Sequence, residues 1–314
     1  MNLLILGASG QTGSYLAEIL EKDSEHAVYS ASRGPNPFFV PSNYISIDSD
    51  LSISTMSRMI NEVRADVVIN LISLSSVFEC EKNPSLSESI NRNFVEDLAN
   101  AVLISQESMS KQILLFQCSS SEMYSNLQPH SLISESTELN PGTVYGVHKA
   151  KALEYLRATA SSKPEFLYTS GILFNHESPR RSSNFVSKKI SSSVREIAAG
   201  RLKNLELGDI SVLRDWSYAP DFAQGIANLV GLRKRGEFIF ASGKLHSIEE
   251  FCDLSFQFFG IRNYRDFICS NPDFVRKNNN NGLVGDSSKL RKEINWEPKV
   301  GFADLVRAMC SDLT

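Results

Sequence analysis

A glycine-rich loop close to the start of the chain restricts the possible folds more than any other feature. The apolar segment Asn2–Leu6 is typical of a strand, the loop Gly7-Ala8-Ser9-Gly10-Gln11-Thr12-Gly13 follows at once, and Gly10–Glu21 has the apolar spacing of a helix. In this order the helix N-terminus presents N–H groups and positive potential to a phosphate. The loop predicts a bound dinucleotide, and a tight turn without a ligand is the alternative. The residues expected to hold the pyrophosphate are Gly7, Gly10, Gln11, Thr12 and Gly13.

Short apolar runs alternate with helical patterns through the first half of the 314-residue chain. Further strands are expected at Ala27–Ala31, Tyr44–Ile47, Asp66–Ile72, Gln112–Cys118 and Phe166–Phe174. Helices are expected at Ile53–Val63, Leu86–Ser105 and Thr143–Ala160. Strands that are apolar on both faces and are separated by helices predict a covered parallel sheet. The expected fold class is therefore α/β, with a doubly wound parallel Rossmann sheet.

The regular alternation ends near residue 175. The second half shows helical patterns and isolated strands such as Phe238–Ala241. Its expected helices are Phe185–Ala199, Asp221–Leu232, Ser247–Phe259 and Phe302–Ser311. This mixture predicts a smaller mixed α/β substrate-binding domain over the carboxyl ends of the strands, where such sheets bind ligands. We place the dinucleotide-binding domain at 1–174 and the substrate domain mainly at 175–314, with some later segments returning to the first domain.

Charge and cysteine usage exclude several classes of protein. A net charge of −4 argues against nucleic-acid binding, which needs a clustered positive surface. The apolar start of the chain is too short for a signal peptide or a membrane span. Five cysteines without CxxC spacing suit buried thiols in a reducing compartment, with no metal site. A cytoplasmic protein is expected.

The end of the second strand bears on which dinucleotide binds. The segment Ser30-Ala31-Ser32-Arg33-Gly34 contains one arginine and no acid. An acid there would bind a ribose 2′-hydroxyl, whereas an arginine accepts a 2′-phosphate. Arg33 therefore favours NADP, and NAD stays open because Arg33 could be a surface residue. Asp48 is a candidate partner for the adenine amino group or a cap of the following turn.

A tyrosine and a lysine at helical spacing form the candidate catalytic pair. Tyr145 and Lys149 are four residues apart, so both lie on one helix face. A nearby ammonium favours phenolate, and we therefore expect a lowered pKa for Tyr145. Ser120, at the end of an apolar strand, could hydrogen-bond the substrate oxygen that Tyr145 deprotonates. Glu122 adds a carboxylate that could serve as a second base.

The motifs together resemble the extended short-chain dehydrogenase/reductases, and one segment narrows the resemblance. The run Gly171–Arg181, with sequence GILFNHESPRR, and the following Asn184-Phe185-Val186 are similar to GDP-mannose 4,6-dehydratases. Further similar pieces are Arg214-Asp215-Trp216, His246-Ser247, Gly285-Asp286 and Trp296-Glu297-Pro298-Lys299. The resemblance covers nearly the whole chain.

The resemblance implies a reaction in which the cofactor is regenerated. In that family a tyrosine, matched by Tyr145 with Lys149 assisting, takes the proton of the sugar 4-hydroxyl while the C4 hydride passes to the cofactor. A glutamate, matched by Glu122, then removes the C5 proton, water leaves across C5–C6, and the hydride returns to C6. Ser120 stands where the family usually has threonine. The expected product is a 4-keto-6-deoxy sugar.

The resemblance also implies a GDP-linked sugar as substrate. The matching substrate-binding positions are Ser75, Asn175, Val186, Lys189, Arg214 and Arg276. Guanidinium and ammonium groups suit a diphosphate, although surface ion pairs are the alternative for these cations. His176 is expected to be structural, because no acid–base role is left for it.

Several positions depart from the family pattern. Asn279 replaces a glutamate that helps to hold the nucleotide ribose, and Leu74 and Ser76 replace a glutamine and a histidine near the sugar. The segment after Arg33 is short where the family has an arginine-rich stretch used in a tetramer, so a homodimer is expected instead. The alternatives are a related nucleotide-sugar 4-dehydrogenase, 4-reductase or epimerase, and a non-catalytic dinucleotide sensor.

Overall fold

The computed structural model describes residues 1–23, 25–36, 38–47, 50–274 and 282–311. Its strands are β1 (Asn2–Leu6), β2 (Ala27–Ser32), β3 (Tyr44–Ser46), β4 (Val67–Asn70), β5 (Leu114–Ser120), β6 (Leu132–Ile133), β7 (Leu167–Leu173), β8 (Asn175–Glu177), β9 (Leu205–Leu207), β10 (Leu213–Tyr218), β11 (Gly236–Phe240), β12 (Leu245–Ser247), β13 (Ile268–Ser270) and β14 (Val284–Gly285). Its α-helices are α1 (Gln11–Glu21), α2 (Ile53–Glu62), α3 (Val77–Lys82), α4 (Pro84–Glu88), α5 (Phe94–Met109), α6 (Val144–Ser162), α7 (Val186–Ala198), α8 (Ala219–Gly231), α9 (Ile248–Phe258), α10 (Ser288–Ile294) and α11 (Phe302–Cys310).

Seven strands form one parallel sheet in the order β11-β7-β5-β4-β1-β2-β3. Alternate residues of β1 enter different cores: Leu3 and Ile5 pack with α1 and α8, whereas Leu4 and Leu6 pack with α2 and α5. Helices therefore cover both faces, and the expected doubly wound α/β fold is confirmed. The strand order reverses between β1 and β4, which is where such a sheet opens a crevice for ligands.

The strand expected to be isolated at Phe238–Ala241 belongs to the central sheet, so that expectation is wrong. β11 pairs in parallel with β7, from Gly236 opposite Thr169 to Phe240 opposite Leu173. Phe238 and Phe240 are buried in the same core as β1, and this burial draws the strand back to the sheet. The division between 174 and 175 stays a prediction.

Three smaller sheets accompany the central one in the described residues, and one of them is mixed. β10 pairs in parallel with β8 and antiparallel with β12, while β13 joins β9 and β14 joins β6. A separate core of buried side chains from α7, α9 and α11 surrounds Trp216 of β10. β8 begins two residues after β7 ends, so this part of the chain starts at the carboxyl edge of the central sheet.

The helix expected at Leu86–Ser105 is built from three pieces. α4 and α5 are joined by a π-helical turn, Ser89–Asn93, whose wider winding places Asn91 inward. Asn91 is fully buried. The short helix α3, which no periodic pattern indicated, precedes α4 and is capped by the Ser76 hydroxyl. Both features shape the segment that follows β4.

Cysteine burial agrees only in part with the expectation of buried thiols. Cys80, Cys252 and Cys310 are buried and Cys118 is half-buried, but Cys269 is exposed on the two-stranded sheet of β13. In the described ranges, no cluster of three or more histidine, cysteine, aspartate or glutamate side chains could hold a metal ion. None of the helices in those ranges is long and apolar enough to span a bilayer.

Candidate active site

The glycine loop turns so tightly that two of its residues have no room for a side chain. Gly7 has a φ of +85°, and a Cβ there would lie 3.0 Å from the backbone of Leu71 and Ile72. A Cβ on Gly13 would lie 2.3 Å from the Gly7 carbonyl oxygen. The N-terminus of α1 has no side-chain cap, so its first N–H groups face this cradle. The loop therefore fits a dinucleotide pyrophosphate.

The side chains of Gln11 and Thr12 are hydrogen-bonded to the segment of β8. Gln11 donates from Nε2 to the His176 carbonyl at 3.0 Å and accepts from the Ser178 hydroxyl at 2.8 Å. The Thr12 hydroxyl lies 2.9 Å from Nε2 of His176. Their side chains thus attach α1 to the segment of β8, and their backbone N–H groups lie at the start of the helix that follows the glycine loop.

His176 is a structural link, in agreement with its expected role. Its Nδ1 lies 2.9 Å from the Phe174 carbonyl, which can only accept, so Nδ1 carries the proton and Nε2 accepts from Thr12. Burial, with a smaller contribution from the Arg181 charge, lowers the pKa of His176 to about 4. The imidazole is therefore neutral near pH 7.

Arg180 provides a second attachment of this segment to α1. Its guanidinium contacts the Glu18 carboxylate at 2.8 Å and the Ser14 hydroxyl at 3.2 Å, and it lies 3.9 Å from the centroid of the Tyr15 ring. The pairing with Arg180 lowers the pKa of Glu18. The conspicuous sequence run Gly171–Arg181 thus serves, in part, to hold the helix that carries the glycine loop.

The end of β2 lies beside the glycine loop. Arg33 is exposed there, and the Ser32 hydroxyl donates to the Gly34 carbonyl at 2.7 Å. Asn36 is buried and donates to the Ser9 carbonyl at 2.8 Å, which folds this segment against the loop. Arg33 is therefore positioned close to the expected adenosine. Asp48 lies outside the described residues.

Tyr145 and Lys149 lie together in a buried pocket, but the Tyr145 pKa is not lowered. The phenol is 7% exposed and Lys149 is 1% exposed, with Nζ 5.7 Å from the centroid of the tyrosine ring. Burial raises the pKa of Tyr145, and hydrogen bonding to the Ser73 and Ser120 hydroxyls opposes this rise. The expected lowering is wrong for the protein by itself, because desolvation of the phenolate outweighs its favourable contacts.

Lys149 is held by the backbone at the end of β5. Its ammonium donates to the Cys118 carbonyl at 3.0 Å, at the end of β5. Burial lowers the pKa of Lys149, since a charged ammonium loses hydration in this pocket. The lysine is thus aligned by the sheet backbone on the same side of the pocket as the phenol.

Glu122 and Tyr145 are brought together by direct packing of two backbone segments. Glu122 lies in a 3₁₀ turn, Ser121–Tyr124, whose first N–H groups are capped by the Ser120 hydroxyl at 3.2 Å. A Cβ on Gly146 would lie 2.3 Å from the Glu122 carbonyl oxygen, so only glycine permits this approach. The Thr143 hydroxyl caps α6 and also donates to Oε2 of Glu122 at 3.4 Å. The Glu122 turn is therefore packed against the start of the helix that carries Tyr145.

The expected substrate-binding residues lie on several elements beyond the sheet. Ser75 is exposed in the loop after β4, and Val186 begins α7. Asn175 begins β8 and pairs with Trp216, two residues after Arg214 on β10. Nζ of Lys189 lies 3.6 Å from the Phe274 ring centroid. The β8–β10 ladder thus brings Asn175 and Arg214 onto neighbouring strands.

Arg276, together with the departing position Asn279, lies outside the described residues. Ser76 uses its hydroxyl to cap α3 at the Glu79 N–H, so it replaces the family histidine with a structural contact.

Three residues near the site were missed from the sequence. Thr143 could have been recognised as a helix N-cap, which is a common role for threonine before an apolar helical run. Gly146 and Ser73 gave no local signal, because each meets a segment that is distant in sequence. Gly146 packs against the Glu122 turn. The Ser73 hydroxyl donates to Asn91 Oδ1 at 2.8 Å.

Solved structures with the same architecture include proteins that bind nicotinamide dinucleotides. DesIV, a dTDP-glucose 4,6-dehydratase from Streptomyces venezuelae solved with NAD and TYD bound, superposes with a TM-score of 0.84 at 20% identity, over 98% of this chain and 96% of that one. RMD from Pseudomonas aeruginosa, complexed with NADPH, superposes with a TM-score of 0.81 at 21% identity, over 99% and 98% of the two chains. At these identities the superpositions support the fold.

Sequence relatives define the family more narrowly. The chain is 32% identical to GDP-mannose 4,6 dehydratase 1 of Arabidopsis thaliana, over 98% of this chain and 88% of that protein. It is 30% identical to the human GDP-mannose 4,6 dehydratase, over 98% and 89% of the two chains. The model of the GDP-mannose 4,6 dehydratase family matches residues 4–309. By this match and these relatives, the chain belongs to the GDP-mannose 4,6-dehydratase family.

Proposed function

We propose that this protein is a GDP-sugar 4,6-dehydratase that converts GDP-mannose, or a related GDP-hexose or GDP-heptose, to the 4-keto-6-deoxy sugar. The observation that carries the proposal is the contact between the Glu122 turn and the start of α6 at Gly146. It packs the turn that carries the Glu122 carboxylate against the helix that carries the Tyr145 phenol, and this supports two proton-accepting groups in one active site. A dehydratase needs both, whereas a simple 4-dehydrogenase needs only the first.

The side chains have distinct roles in this proposal. Tyr145 takes the proton of the sugar 4-hydroxyl, and Ser120 holds the same oxygen. Glu122, oriented by the Thr143 hydroxyl, takes the C5 proton, which the adjacent C4 ketone makes acidic, and water then leaves across C5–C6. Lys149 stabilises the phenolate from the Cys118 side. Burial of the pocket excludes water and strengthens each of these charge interactions.

NADP is the proposed cofactor, bound at the glycine cradle and at Arg33. When bound it would accept the C4 hydride and return it to C6, and its nicotinamide cation would favour the Tyr145 phenolate. Support for NADP over NAD comes from the exposed Arg33 and from the absence of an acid among the described residues 30–36. Replacing Arg33 with alanine should weaken NADPH binding about tenfold and leave NADH binding unchanged, as measured by titration calorimetry.

The diphosphate of the GDP-sugar is assigned to Lys189 and Arg214, with Asn175, Val186 and Ser75 along the nucleotide and sugar. Arg276 belongs to the same proposal. The division into domains at 174 and 175, the homodimer and the cytoplasmic location also stay predictions.

The proposal is tested by following the 4-keto-6-deoxy product from GDP-mannose and other GDP-sugars. Glu122→Gln should reduce product formation by about 10²–10⁴-fold, the effect of a lost general base, while reduced dinucleotide still accumulates in a single turnover. Glu138→Gln, which changes an exposed glutamate nearby, is the matched control and should leave the rate unchanged. If wild-type protein forms no product from any GDP-sugar, the dehydratase proposal is wrong. Full product formation by Glu122→Gln would instead remove Glu122 from the mechanism.

A further inference from the structure

Two buried amides interrupt the apolar strands at the centre of the sheet. β4 and β5 are apolar over residues 67–69 and 114–116, and the next pair in register is Asn70 opposite Gln117. The two side chains are 0% and 1% exposed, and they lie on the sheet face that α5 and α6 cover. A buried amide costs free energy unless its polar atoms are paired, so the partners of these two amides matter.

The two amides belong to one chain of hydrogen bonds. The Ile72 N–H donates to Oδ1 of Asn70 at 3.0 Å, and Nδ2 of Asn70 donates to Oε1 of Gln117 at 2.8 Å. Nε2 of Gln117 then donates to the Cys118 carbonyl at 2.7 Å. The N–H at one end can only donate and the carbonyl at the other can only accept, so both ends require the same orientation of the amides.

The chain ends on the carbonyl that holds the candidate catalytic lysine. The Cys118 carbonyl oxygen has two lone pairs, and it accepts from Lys149 Nζ at 3.0 Å as well as from Gln117. Because Gln117 occupies one lone pair, the other is left for the ammonium. At the opposite end, a Cβ on Gly7 would lie 3.0 Å from the Ile72 nitrogen. The chain therefore runs from the backbone beside the glycine loop to the ammonium of Lys149.

We propose that Gln117, oriented by Asn70, is a positioning residue that fixes Lys149 through the Cys118 carbonyl. The fixed carbonyl gives the ammonium one place beside the Tyr145 ring, whose centroid lies 5.7 Å from Nζ. A charge that is already in place when the phenolate forms stabilises it without reorganisation. This inference rests on the proposed function only in taking Lys149 as part of the catalytic pair.

The experiment compares Gln117→Met with Gln106→Met. Both changes remove a buried glutamine beside β5, but Gln106 accepts from the Ile113 N–H at 3.0 Å, just before that strand begins. Asn70→Leu removes the partner of Gln117 and is also combined with Gln117→Met in a double variant. The first readout is the Nζ resonance of Lys149 in protein with nitrogen-labelled lysine, assigned with Lys149→Met, and it needs no turnover. The second is kcat and KM with GDP-mannose.

We expect Gln117→Met to shift the Lys149 resonance and to lower kcat about tenfold at unchanged KM, because the ammonium loses its fixed acceptor. Asn70→Leu should also lower kcat. The double variant should be no slower than Gln117→Met, because both residues act through one carbonyl. Gln106→Met should change neither readout. The proposal is overturned if Gln117→Met changes neither readout, if Gln106→Met changes them equally, or if the two single losses multiply in the double variant.

If Gln117→Met does not fold, the reverse comparison decides. Lys149→Met should shift the side-chain amide resonances of Gln117, which shares the Cys118 carbonyl, and leave those of Gln106 unchanged. Unchanged Gln117 resonances would overturn the proposal. If wild type turns over no GDP-sugar, the proposed function fails, and the resonance comparisons still decide the role of Gln117.

Discussion

The glycine loop and the Tyr145 pocket lie at the same edge of one sheet but are built from different groups. Around the glycine loop the backbone forms the site. There is no space for a side chain at Gly7 or Gly13, and the Gln11 and Thr12 side chains are hydrogen-bonded to His176. The Tyr145 pocket is made by buried polar side chains whose neighbours set their protonation.

Because of this difference, substitutions in the two regions should affect different measurable properties. A steric change in the glycine loop should weaken dinucleotide binding and leave the chemistry of Tyr145 intact. A change of one polar group in the Tyr145 pocket should alter turnover or its pH dependence and leave dinucleotide binding intact. The first two predictions below test that separation, and the third tests the link that holds α1 to β8.

The largest effect is expected from Tyr145→Phe. Losing the phenol oxygen removes the proton acceptor, so turnover should fall by about 10²–10⁴-fold. The dissociation constant of NADPH should remain that of wild type, because the glycine cradle is unchanged. Stopped-flow kinetics and titration calorimetry measure the two quantities. A large loss of NADPH affinity in this variant would contradict the separation of the two regions.

A smaller effect, on NADPH affinity, is expected from Gly13→Ala. The new methyl group would lie 2.3 Å from the Gly7 carbonyl oxygen, so the loop must shift, and NADPH affinity should fall about ten- to hundredfold. Gly10→Ala is the matched control, since its Cβ meets the same oxygen at 3.3 Å and a small adjustment relieves the contact. If calorimetry shows equal losses of NADPH affinity in the two variants, steric contact within the loop does not determine NADPH binding.

The smallest effect is expected in the pH dependence of the free energy of unfolding, through His176, which links α1 to β8. The pKa of His176 is lowered to about 4 from an ordinary 6.5, so the unfolded chain binds this proton more readily than the folded protein does. The stability tied to neutral His176 is fully present above pH 6.5 and is lost as the pH falls towards 4. Between pH 7 and pH 5 the free energy of unfolding should decrease by about 2 kcal/mol from this group.

Urea titrations of wild type and His176→Asn measure that decrease. The variant loses the titrating group, so its free energy of unfolding should fall less steeply over the same pH interval, whatever its stability at pH 7. His130→Asn, at an exposed histidine, should follow wild type. Parallel curves for wild type and His176→Asn would show that folding does not lower the pKa of His176.

Local patterns predicted most of the central sheet, because each pattern depended on short-range geometry. The turn at Gly7, the helix that follows it and the spacing of Tyr145 and Lys149 are all contained within a few residues. The missed elements depend on distant partners. β11 reaches the central sheet through pairing with β7, and the π-helical turn at Asn91 is paired with the loop after β4.

The sequence by itself determined the α/β fold and the glycine loop, and it indicated the phenol, lysine and carboxylate as candidate site residues, since those follow from residue type and local spacing. Only the tertiary structure decided what surrounds them. Desolvation in the closed pocket raises the pKa of Tyr145, and the contact at Gly146 packs the Glu122 turn against the helix that carries Tyr145. Burial and approach between distant segments are properties of the packed chain, so no local pattern could contain them.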